Sequence, residues 1–229
     1  MQPVPDKKYF YEEFASQFDA AMNRYDLETR VKVIFDVVLT EDLTGKLLLD
    51  DGCGTGWFSK AAVERGARVT SLDVGEKLLL EVKKKCSSEC VVGDALELSF
   101  ADNTFDIIVS SEMIEHTVKP SQATSEMFRV LKPGGILALT CPNWSWKWSV
   151  YVADWLKLRP YQGYENWPGY FELVRWMQRQ GFVIEQHFGF HLLPFQLSVL
   201  HPFLDLTNRA GSALGPIMIN QAVRARKLT

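Results

Sequence analysis

The chain has 229 residues, which is enough for one α/β domain with added segments, and 47% of them are hydrophobic, which is enough for a sizeable core. Its formal net charge is -3 and its longest basic run is Lys83-Lys84-Lys85, so the composition argues against a protein that grips nucleic acid. The longest apolar stretch, within residues 192–206, is interrupted by prolines and an aspartate and is shorter than the roughly 20 residues of a spanning helix.

The first residues contain no apolar segment of the secretory type, and none of the four cysteines forms a Cys-x-x-Cys pair. We therefore expect a reducing, cytoplasmic location with free thiols and no metal site. The cysteines are Cys53, Cys86, Cys90 and Cys141.

Residues 9–39 carry apolar side chains at helical spacing. Phe10, Phe14 and Phe18 recur at every fourth position, and a second series begins at Leu27. We predict helices throughout this stretch, which ends before Thr44-Gly45.

Short apolar runs then alternate with helical patterns. Strands are predicted at residues 47–49, 69–72, 91–92, 105–109 and 136–140, and helices at 57–65, from about 76, and at 121–131. Strands that alternate with helices are typical of crossover units and a parallel sheet. The pattern predicts a doubly wound, Rossmann-like α/β fold.

The composition changes after Cys141, because six of the seven tryptophans fall between Trp144 and Trp176. We predict a helix at 171–180, a strand beginning at 182–184, an apolar insertion at 189–216 and an edge strand at 218–227. Together these elements predict one domain with a mostly parallel, seven-stranded sheet and an aromatic-rich helical cap built from the C-terminal insertions.

A glycine turn, Gly52-x-Gly54-x-Gly56, follows the first predicted strand. Glycine has no Cβ, so a ligand can lie against such a backbone. The dinucleotide fingerprint has another spacing, and Trp57 stands where its third glycine would pack, which argues against NAD. The alternative is a tight turn without a ligand.

Acids stand at the ends of the next two predicted strands. Asp73 comes 17 residues after Gly56 and is placed to accept hydrogen bonds from both ribose hydroxyls of an adenosine. Asp94 is placed to accept one from the adenine amino group. Aspartate is also common in turns, but three acids after three consecutive strands, with Asp50 the first, favour a nucleoside site.

The segments LLLDDGCGTG, VTSLDV, VVGDA, FDIIVSSEMIEH and LKPGGILALTCPN resemble the successive motifs of class I S-adenosylmethionine-dependent methyltransferases. They cover about residues 47–143, and within the superfamily they most resemble the motifs of the ubiquinone-biosynthesis O-methyltransferases and the type 11 group. FASQFDAAMNRYD resembles the helix that lids the cofactor. The resemblance implies S-adenosylmethionine as cofactor. It divides the domain into a lid (1–43), a cofactor-binding core (44–141) and a substrate cap with the last strands (142–229).

The resemblance also implies residue roles. For the methionine part it assigns Asp50, Gly52, Cys53, Gly54, Thr55 and Gly56; for the nucleoside Asp73, Val74, Asp94 and Ala95; for the cofactor's other side Ser111, Glu112 and Met113; and for the lid Tyr25 and Arg30. One position departs from the family pattern, because Asp51 stands where an aliphatic residue is usual. Asp51 is either directed to the surface or reaches the ligand's ammonium group.

Methyl transfer from a sulfonium requires alignment, exclusion of water and, for a hydroxyl acceptor, a base. His116 is the base candidate, with Glu112 as a second catalytic candidate; the alternative for His116 is a structural role. Glu112, Glu115 and His116 have i, i+3, i+4 spacing, and some relatives use this segment for a metal, but we predict none here. His187 and His191 are expected to pack under the insertion.

Trp144, Trp148 and Trp155 are candidates for the wall of a pocket that takes a flat or apolar acceptor, or else for the core of a cap. The apolar residues 190–206 are a candidate contact for a membrane surface or a partner; alternatively they close over the sheet.

We therefore predict a methyltransferase that acts on an O (or N) atom of a small, hydrophobic or aromatic acceptor, with O preferred because of the segment Glu-Met-Ile-Glu-His. The alternatives are an N-methyltransferase of an amine or amino sugar, an RNA methyltransferase and a non-catalytic cofactor binder. The acidic balance opposes RNA, as does Ser-Ser-Glu-Met after the fourth strand in place of an Asn/Asp-Pro-Pro-aromatic motif.

Overall fold

The computed structural model describes residues 11, 15–156 and 163–228. The strands are β1 Leu47–Asp51, β2 Arg68–Asp73, β3 Glu89–Val92, β4 Phe105–Ser111, β5 Leu131–Pro142, β6 Phe182–Phe190 and β7 Asn220–Lys227. The α-helices are α1 Ala15–Ala21, α2 Arg24–Lys32, α3 Trp57–Glu64, α4 Glu76–Lys85, α5 Pro120–Val130, α6 Lys147–Trp155, α7 Tyr170–Gln180, α8 His201–Asn208 and α9 Gly211–Leu214.

These strands form one seven-stranded sheet in the order β3-β2-β1-β4-β5-β7-β6. The first five strands of that order run parallel, while β7 is antiparallel to both of its neighbours. The predicted Rossmann-like, mostly parallel fold is therefore confirmed. The chain order reverses between β1 and β4, and in such sheets a ligand crevice opens at the carboxyl ends of the strands at this point.

The position of the last strand differs from the prediction. β7 is not an edge strand; it is inserted between β5 and β6, and β6 forms the edge. The burial of β7 agrees with that place, because Ala222, Val223 and Ala225 are all fully buried. β7 runs antiparallel to both β5 and β6, and β5 is far from it in the sequence. A local hydropathy pattern carries no information about such a pairing.

Helices cover both faces of the sheet, as the alternating side chains of β1 show. Leu48 packs into one apolar cluster with Ile34 and with Phe58 of α3. Leu49, the next residue, packs into the other cluster with Met127 of α5 and Leu173 of α7. Successive strand side chains point to opposite faces, so a strand buried on both sides reads as a continuous apolar run.

The N-terminal stretch is helical where it is described. Asn23 separates α1 from α2 and caps α2, because its side-chain oxygen accepts a hydrogen bond from Asp26 N at 3.0 Å. The chain then continues into a π-helical turn, Val33–Val38. Of the predicted aromatic stripe, Phe18 lies in α1, whereas Phe10 and Phe14 lie outside the described residues.

The predicted aromatic-rich cap is not confirmed. The C-terminal segments do contain helices α6, α8 and α9, but Trp144, Trp148 and Trp155 are 63%, 57% and 80% exposed. They therefore do not form a shared aromatic core. Leu197, Val199, Phe203 and Leu206 are also exposed, so the apolar contact predicted for residues 190–206 stays a prediction.

The four cysteines are free, as predicted. None of the helices in the described part of the chain is both long and apolar enough to cross a membrane.

Candidate functional site

A cavity of about 890 Å³ lies at the carboxyl ends of the parallel strands. Its floor comes from the residues that end or follow β1, β2, β3 and β4, and α2 and α6 contribute walls. Small-molecule sites have volumes of about 300–1,000 Å³, so this cavity has room for a nucleoside-sized ligand beside a second small molecule.

The glycine turn brings backbone to the cavity surface. Gly52 has φ +75°, a conformation that L side chains rarely adopt, and a Cβ there would lie 2.0 Å from Met113 Cγ. Gly52, Cys53, Gly54 and Thr55 line the cavity. Gly56 does not; it starts α3 and packs against Val82.

Asp73 ties this turn to the next loop. Its two carboxylate oxygens accept hydrogen bonds from Gly54 N and Gly75 N, each at 2.9 Å. A carboxylate oxygen has a second lone pair, so Asp73 can still accept bonds from ligand hydroxyls. Asp73 and Val74, both predicted to bind the nucleoside, line the cavity.

Asp94 and Ala95 extend the floor after β3. Oδ1 of Asp94 accepts a hydrogen bond from Leu96 N at 2.9 Å, which shapes the turn. Both residues line the cavity, next to the apolar side chains of Leu72 and Leu96. This part of the floor therefore combines one acid with an apolar surface.

The two acids at the end of β1 point to different sides of the sheet, and Asp50, which was predicted at the cofactor site, is the one that lies away from the cavity. Asp50 does not line the cavity; its carboxylate accepts a 2.6 Å hydrogen bond from Ser59 Oγ beneath α3, and burial raises its pKa to about 7. Asp51 does line the cavity, is fully buried, and neither of its carboxylate oxygens has a hydrogen-bond partner among the described residues. Strand alternation separates the two side chains.

Ser111, the last residue of β4, and Glu112 and Met113, which follow it, line the cavity; all three were predicted to contact the cofactor. Glu112 has a left-handed φ of +52°, and its Oε2 accepts a 2.9 Å hydrogen bond from Asn220 Nδ2 of β7. Burial raises the pKa of Glu112 to about 7, although the charge of Arg30 opposes the rise. A non-glycine residue held at positive φ stores strain, which is common at functional sites.

A buried ion pair on α2 reaches the same wall. Arg30 Nε donates to Asp26 Oδ2 at 2.9 Å, and His191 Nε2 lies 3.3 Å from Asp26 Oδ1. Burial alone would raise the pKa of Asp26, but the charges of Arg30 and His191 hold it below its usual range. Arg30 was predicted at the site, whereas Asp26 was missed, although its i, i+4 spacing to Arg30 was a local signal.

His116 lies in a short turn beside Glu115. Its Nδ1 is 2.9 Å from the carbonyl oxygen of Tyr164; because a carbonyl only accepts, Nδ1 carries the hydrogen, and Nε2, 3.3 Å from the Tyr11 hydroxyl, is the acceptor in the neutral ring. Glu115 is buried, with Oε1 3.9 Å from His116 Nε2. Burial, followed by the charge of Glu112, raises the pKa of Glu115 well above its usual range.

Other predicted residues lie elsewhere. Tyr25 does not line the cavity; its hydroxyl donates to Asp205 at 2.7 Å, and its ring stacks on His201 at 3.7 Å. The exposed Trp144, Trp148 and Trp155 do not line it either. Their place is taken by other apolar side chains: Trp146, Val150, Ala153, Trp167, Pro194 and Phe195.

The cavity is strongly acidic. Among the described residues that line it are seven acids, Asp26, Asp51, Asp73, Asp94, Glu112, Glu115 and Glu165, against Arg30 as the one arginine or lysine. Those of the seven that are ionised attract ligands of positive charge. No group of three side chains suited to hold a metal ion occurs in the described ranges.

Residues 49–139 match the family model described as a methyltransferase domain. The chain is 34% identical over 138 residues to a malonyl-(acyl-carrier protein) O-methyltransferase of Buchnera aphidicola. That match covers 59% of this chain and 55% of the relative, so the chain spans about half the length of this curated relative. It is 29% identical over 197 residues to a ubiquinone biosynthesis O-methyltransferase of Pseudomonas fluorescens, covering 76% of this chain and 84% of the relative.

Among solved structures, the fold is similar to that of an S-adenosylmethionine-dependent methyltransferase of Thermotoga maritima described as a possible histamine N-methyltransferase. The TM-score is 0.71 at 16% sequence identity, and the match covers 96% of this chain and 99% of that one. At this identity the likeness extends to the fold alone.

The close approach of Gly52 to Met113 predicts that a side chain at position 52 destabilises the fold, and Gly134 is a matched control position. Gly52→Ala and Gly134→Ala both place a side chain on a left-handed backbone, φ +75° and +79°, but only at position 52 does the new Cβ meet another residue. We expect Gly134→Ala to lower the free energy of unfolding by about 1–2 kcal/mol and Gly52→Ala by a further ~1–3 kcal/mol. Urea unfolding measures both, and equal losses would contradict the packing argument.

The buried position of Asp50 predicts a pH-dependent stability. Its pKa of about 7 in the folded protein lies above the ordinary 3.8, so its protonated form stabilises the fold at low pH, and that contribution is lost as pH rises through about 7. Asp50→Asn keeps the bond with Ser59 without the charge. We expect the variant to gain on the order of 2–4 kcal/mol over the wild type at about pH 8 relative to about pH 5. The exposed Asp154→Asn is the control; a gain of the same size there, or none at Asp50, would refute the argument.

Proposed function

Because the chain belongs to the class I S-adenosylmethionine-dependent methyltransferases, we propose that it transfers the methyl group of S-adenosylmethionine to an O (or N) atom of a small, hydrophobic or aromatic acceptor. The observation that carries the proposal is the single cavity in which a glycine turn, strand-end acids and a buried Glu-His segment meet. The first two fit the donor, and the third fits the deprotonation of an acceptor.

The residues present fit S-adenosylmethionine. A donor with a sulfonium and an ammonium group suits an acidic cavity, and Gly52 allows close approach of a ligand to the backbone. Asp73 and Val74 would hold the ribose, and Asp94 and Ala95 the base. Cys53, Gly54 and Thr55 would hold the methionine part together with Gly52, and Arg30, Ser111 and Met113 would close the remaining side.

The bound donor supplies an electrophilic methyl group on a positively charged sulfur. The protein's own tasks are to align the acceptor atom with that methyl group, to exclude water and to remove a proton from a hydroxyl acceptor. Glu112 suits the last task, since a carboxyl with a pKa of about 7 changes protonation near neutral pH. His116 offers a second acceptor at Nε2, near Tyr11 and Glu115.

The acceptor side of the cavity supports an apolar or aromatic molecule. Trp146, Val150 and Ala153 present one face of the α6 region to the cavity, and Trp167 and Phe195 add aromatic surface. Aromatic side chains supply large contact areas for flat ligands. An O atom is the preferred target, because a buried carboxyl and an imidazole acceptor suit a hydroxyl that must lose a proton.

A second candidate is methylation of an amine, and the acid excess favours it. Glu112 Oε1 and Glu115 Oε2 are buried with no hydrogen-bond partner among the described residues, and both side chains line the cavity. An amine that enters in its cationic form would pair with an ionised carboxylate here, and transfer of its proton to that carboxylate would free the lone pair that attacks the methyl group. Incubation with labelled donor and a panel of phenols, quinols, fatty-acyl carboxylates and aliphatic amines separates the two candidates; transfer to no member of the panel would contradict both.

Asp73 is the residue on which donor binding depends most. Asp73→Ala removes the acceptor for the ribose hydroxyls and the tie between two loops, so affinity for S-adenosylhomocysteine should fall by about 2–3 kcal/mol, or some 30- to 150-fold. Calorimetric titration measures the loss, with the exposed Asp102→Ala as control. Unchanged affinity in Asp73→Ala would remove the ribose assignment.

A base role for Glu112 predicts a pH profile. If its carboxylate accepts the proton, kcat/KM for an acceptor that does not titrate in this range should rise as pH passes about 7, and Glu112→Gln should remove that rise. His116→Ala should lower kcat by about 10²–10⁴-fold without changing affinity for S-adenosylhomocysteine if His116 takes part.

A wild-type profile that is flat through pH 7, or one that Glu112→Gln reproduces, would show that Glu112 is not the base. Wild-type rates in His116→Ala would show a structural histidine.

A further inference from the structure

Asp51 is a buried acid at the cavity to which the proposed function gives no role. It ends β1, where it lies opposite Leu72 of β2, and its carbonyl oxygen accepts a 3.1 Å hydrogen bond from Ser110 Oγ of β4. The backbone is thus held on both sides. The side chain is fully buried and lines the cavity, and neither carboxylate oxygen has a hydrogen-bond partner among the described residues.

Strand alternation shows which part of the cavity Asp51 reaches. Leu49, two residues earlier, packs into the cluster that contains Leu72, Ala95 and Met113, and these three side chains also line the cavity. Asp51 points to the same face. It is therefore a polar side chain in the apolar part of the floor, next to the turn that carries Asp94.

The charged groups that act most strongly on Asp51 are acids. They are Asp50 on its own strand, Asp73 at the end of β2, Asp94 after β3 and Glu126 on α5. Burial, followed by the charges of these carboxylates, raises the pKa of Asp51 well above its usual range. A protonated carboxyl has one O–H donor, and among the residues that the structure describes this donor has no acceptor.

We propose that Asp51 is a specificity residue for the nucleoside part of the methyl donor, and that it donates a hydrogen bond from its neutral carboxyl group to a ring nitrogen of the base. The inference rests on the proposed function. Asp94 accepts from an exocyclic amino group, and Asp51 donates to a ring acceptor, so the pair reads the donor–acceptor pattern of adenine. A base with a carbonyl in place of the amino group offers Asp94 no donor.

The arrangement also predicts that Asp51 destabilises the unliganded protein. A buried polar group without a partner destabilises the fold, and an aliphatic side chain would remove that penalty. Asp51 should therefore lower the stability of the unliganded protein and raise its affinity for ligand. A purely structural acid would not show both effects.

The test compares wild type, Asp51→Asn and Asp51→Val in calorimetric titrations with S-adenosylhomocysteine and with 5′-methylthioadenosine, which lacks the amino-acid part. Asparagine keeps a neutral donor, and valine is an aliphatic side chain of the kind usual at this position. We expect Asp51→Val to bind both ligands about 3- to 10-fold more weakly, Asp51→Asn to bind both nearly as well as the wild type, and unliganded Asp51→Val to melt at a higher temperature than the wild type.

The pH dependence of ligand affinity is a second readout. It has one sign if neutral Asp51 donates to the base and the opposite sign if ionised Asp51 pairs with the ligand's ammonium group. If the neutral carboxyl donates, wild-type affinity should fall as pH rises through the raised pKa of Asp51, while Asp51→Asn should lack that fall. If Asp51 instead pairs as a carboxylate with the ligand's ammonium group, wild-type affinity for S-adenosylhomocysteine should rise with pH. Both variants should then lose affinity for S-adenosylhomocysteine but keep it for 5′-methylthioadenosine. That result would overturn the proposal.

Wild-type affinities in both variants would overturn it as well. Failure of the wild type to bind either ligand would instead contradict the proposed function itself, so the two failures are distinguishable.

Discussion

The carboxylate of Asp73 ties together two of the loops that form the floor of the cavity. It accepts hydrogen bonds from Gly54 N and Gly75 N, and so joins the loop after β1 to the loop after β2. The parallel pairing of β1 with β2 brings the carboxyl ends of both strands to one edge, and the left-handed Gly52 lets the first loop turn back over that edge. This tie fixes the position of the glycine turn relative to the loop that follows β2.

The second constraint is electrostatic. Burying several carboxyl groups around one cavity is unfavourable unless each is paired, protonated or matched by a ligand. Asp26 is paired with Arg30, whereas burial raises the pKa values of Asp50, Asp51 and Glu115 and so favours their protonated forms. Asp51 and Glu115 also keep oxygens without a hydrogen-bond partner among the described residues, which leaves these groups for a ligand to satisfy.

Much of this could be predicted from sequence wherever the signal was local. Strand ends marked by Asp73 and Asp94, and the helix that follows the glycine turn, needed only short-range patterns. The family motif placed Asp50 at the cofactor site. Strand alternation instead puts the side chain of Asp50 under α3 and that of Asp51 at the cavity.

Non-local features were not accessible in the same way. The place of β7 between β5 and β6 depends on pairing between distant segments, and His191 meets Asp26 only in the folded chain. The region from Trp144 to Trp155 is apolar on several sides, so its composition did not reveal that Trp146 faces the cavity while Trp144, Trp148 and Trp155 face solvent.

A crystal structure of the complex with S-adenosylhomocysteine would show whether this cavity is an adenosylmethionine site with its acceptor wall at the Glu-His segment. We expect the ribose hydroxyls within hydrogen-bond distance of Asp73, the base beside Asp94 and Ala95, and the sulfur atom facing the part of the cavity lined by Glu112 and His116. A ligand bound elsewhere, or bound here with the ribose away from Asp73, would contradict this assignment.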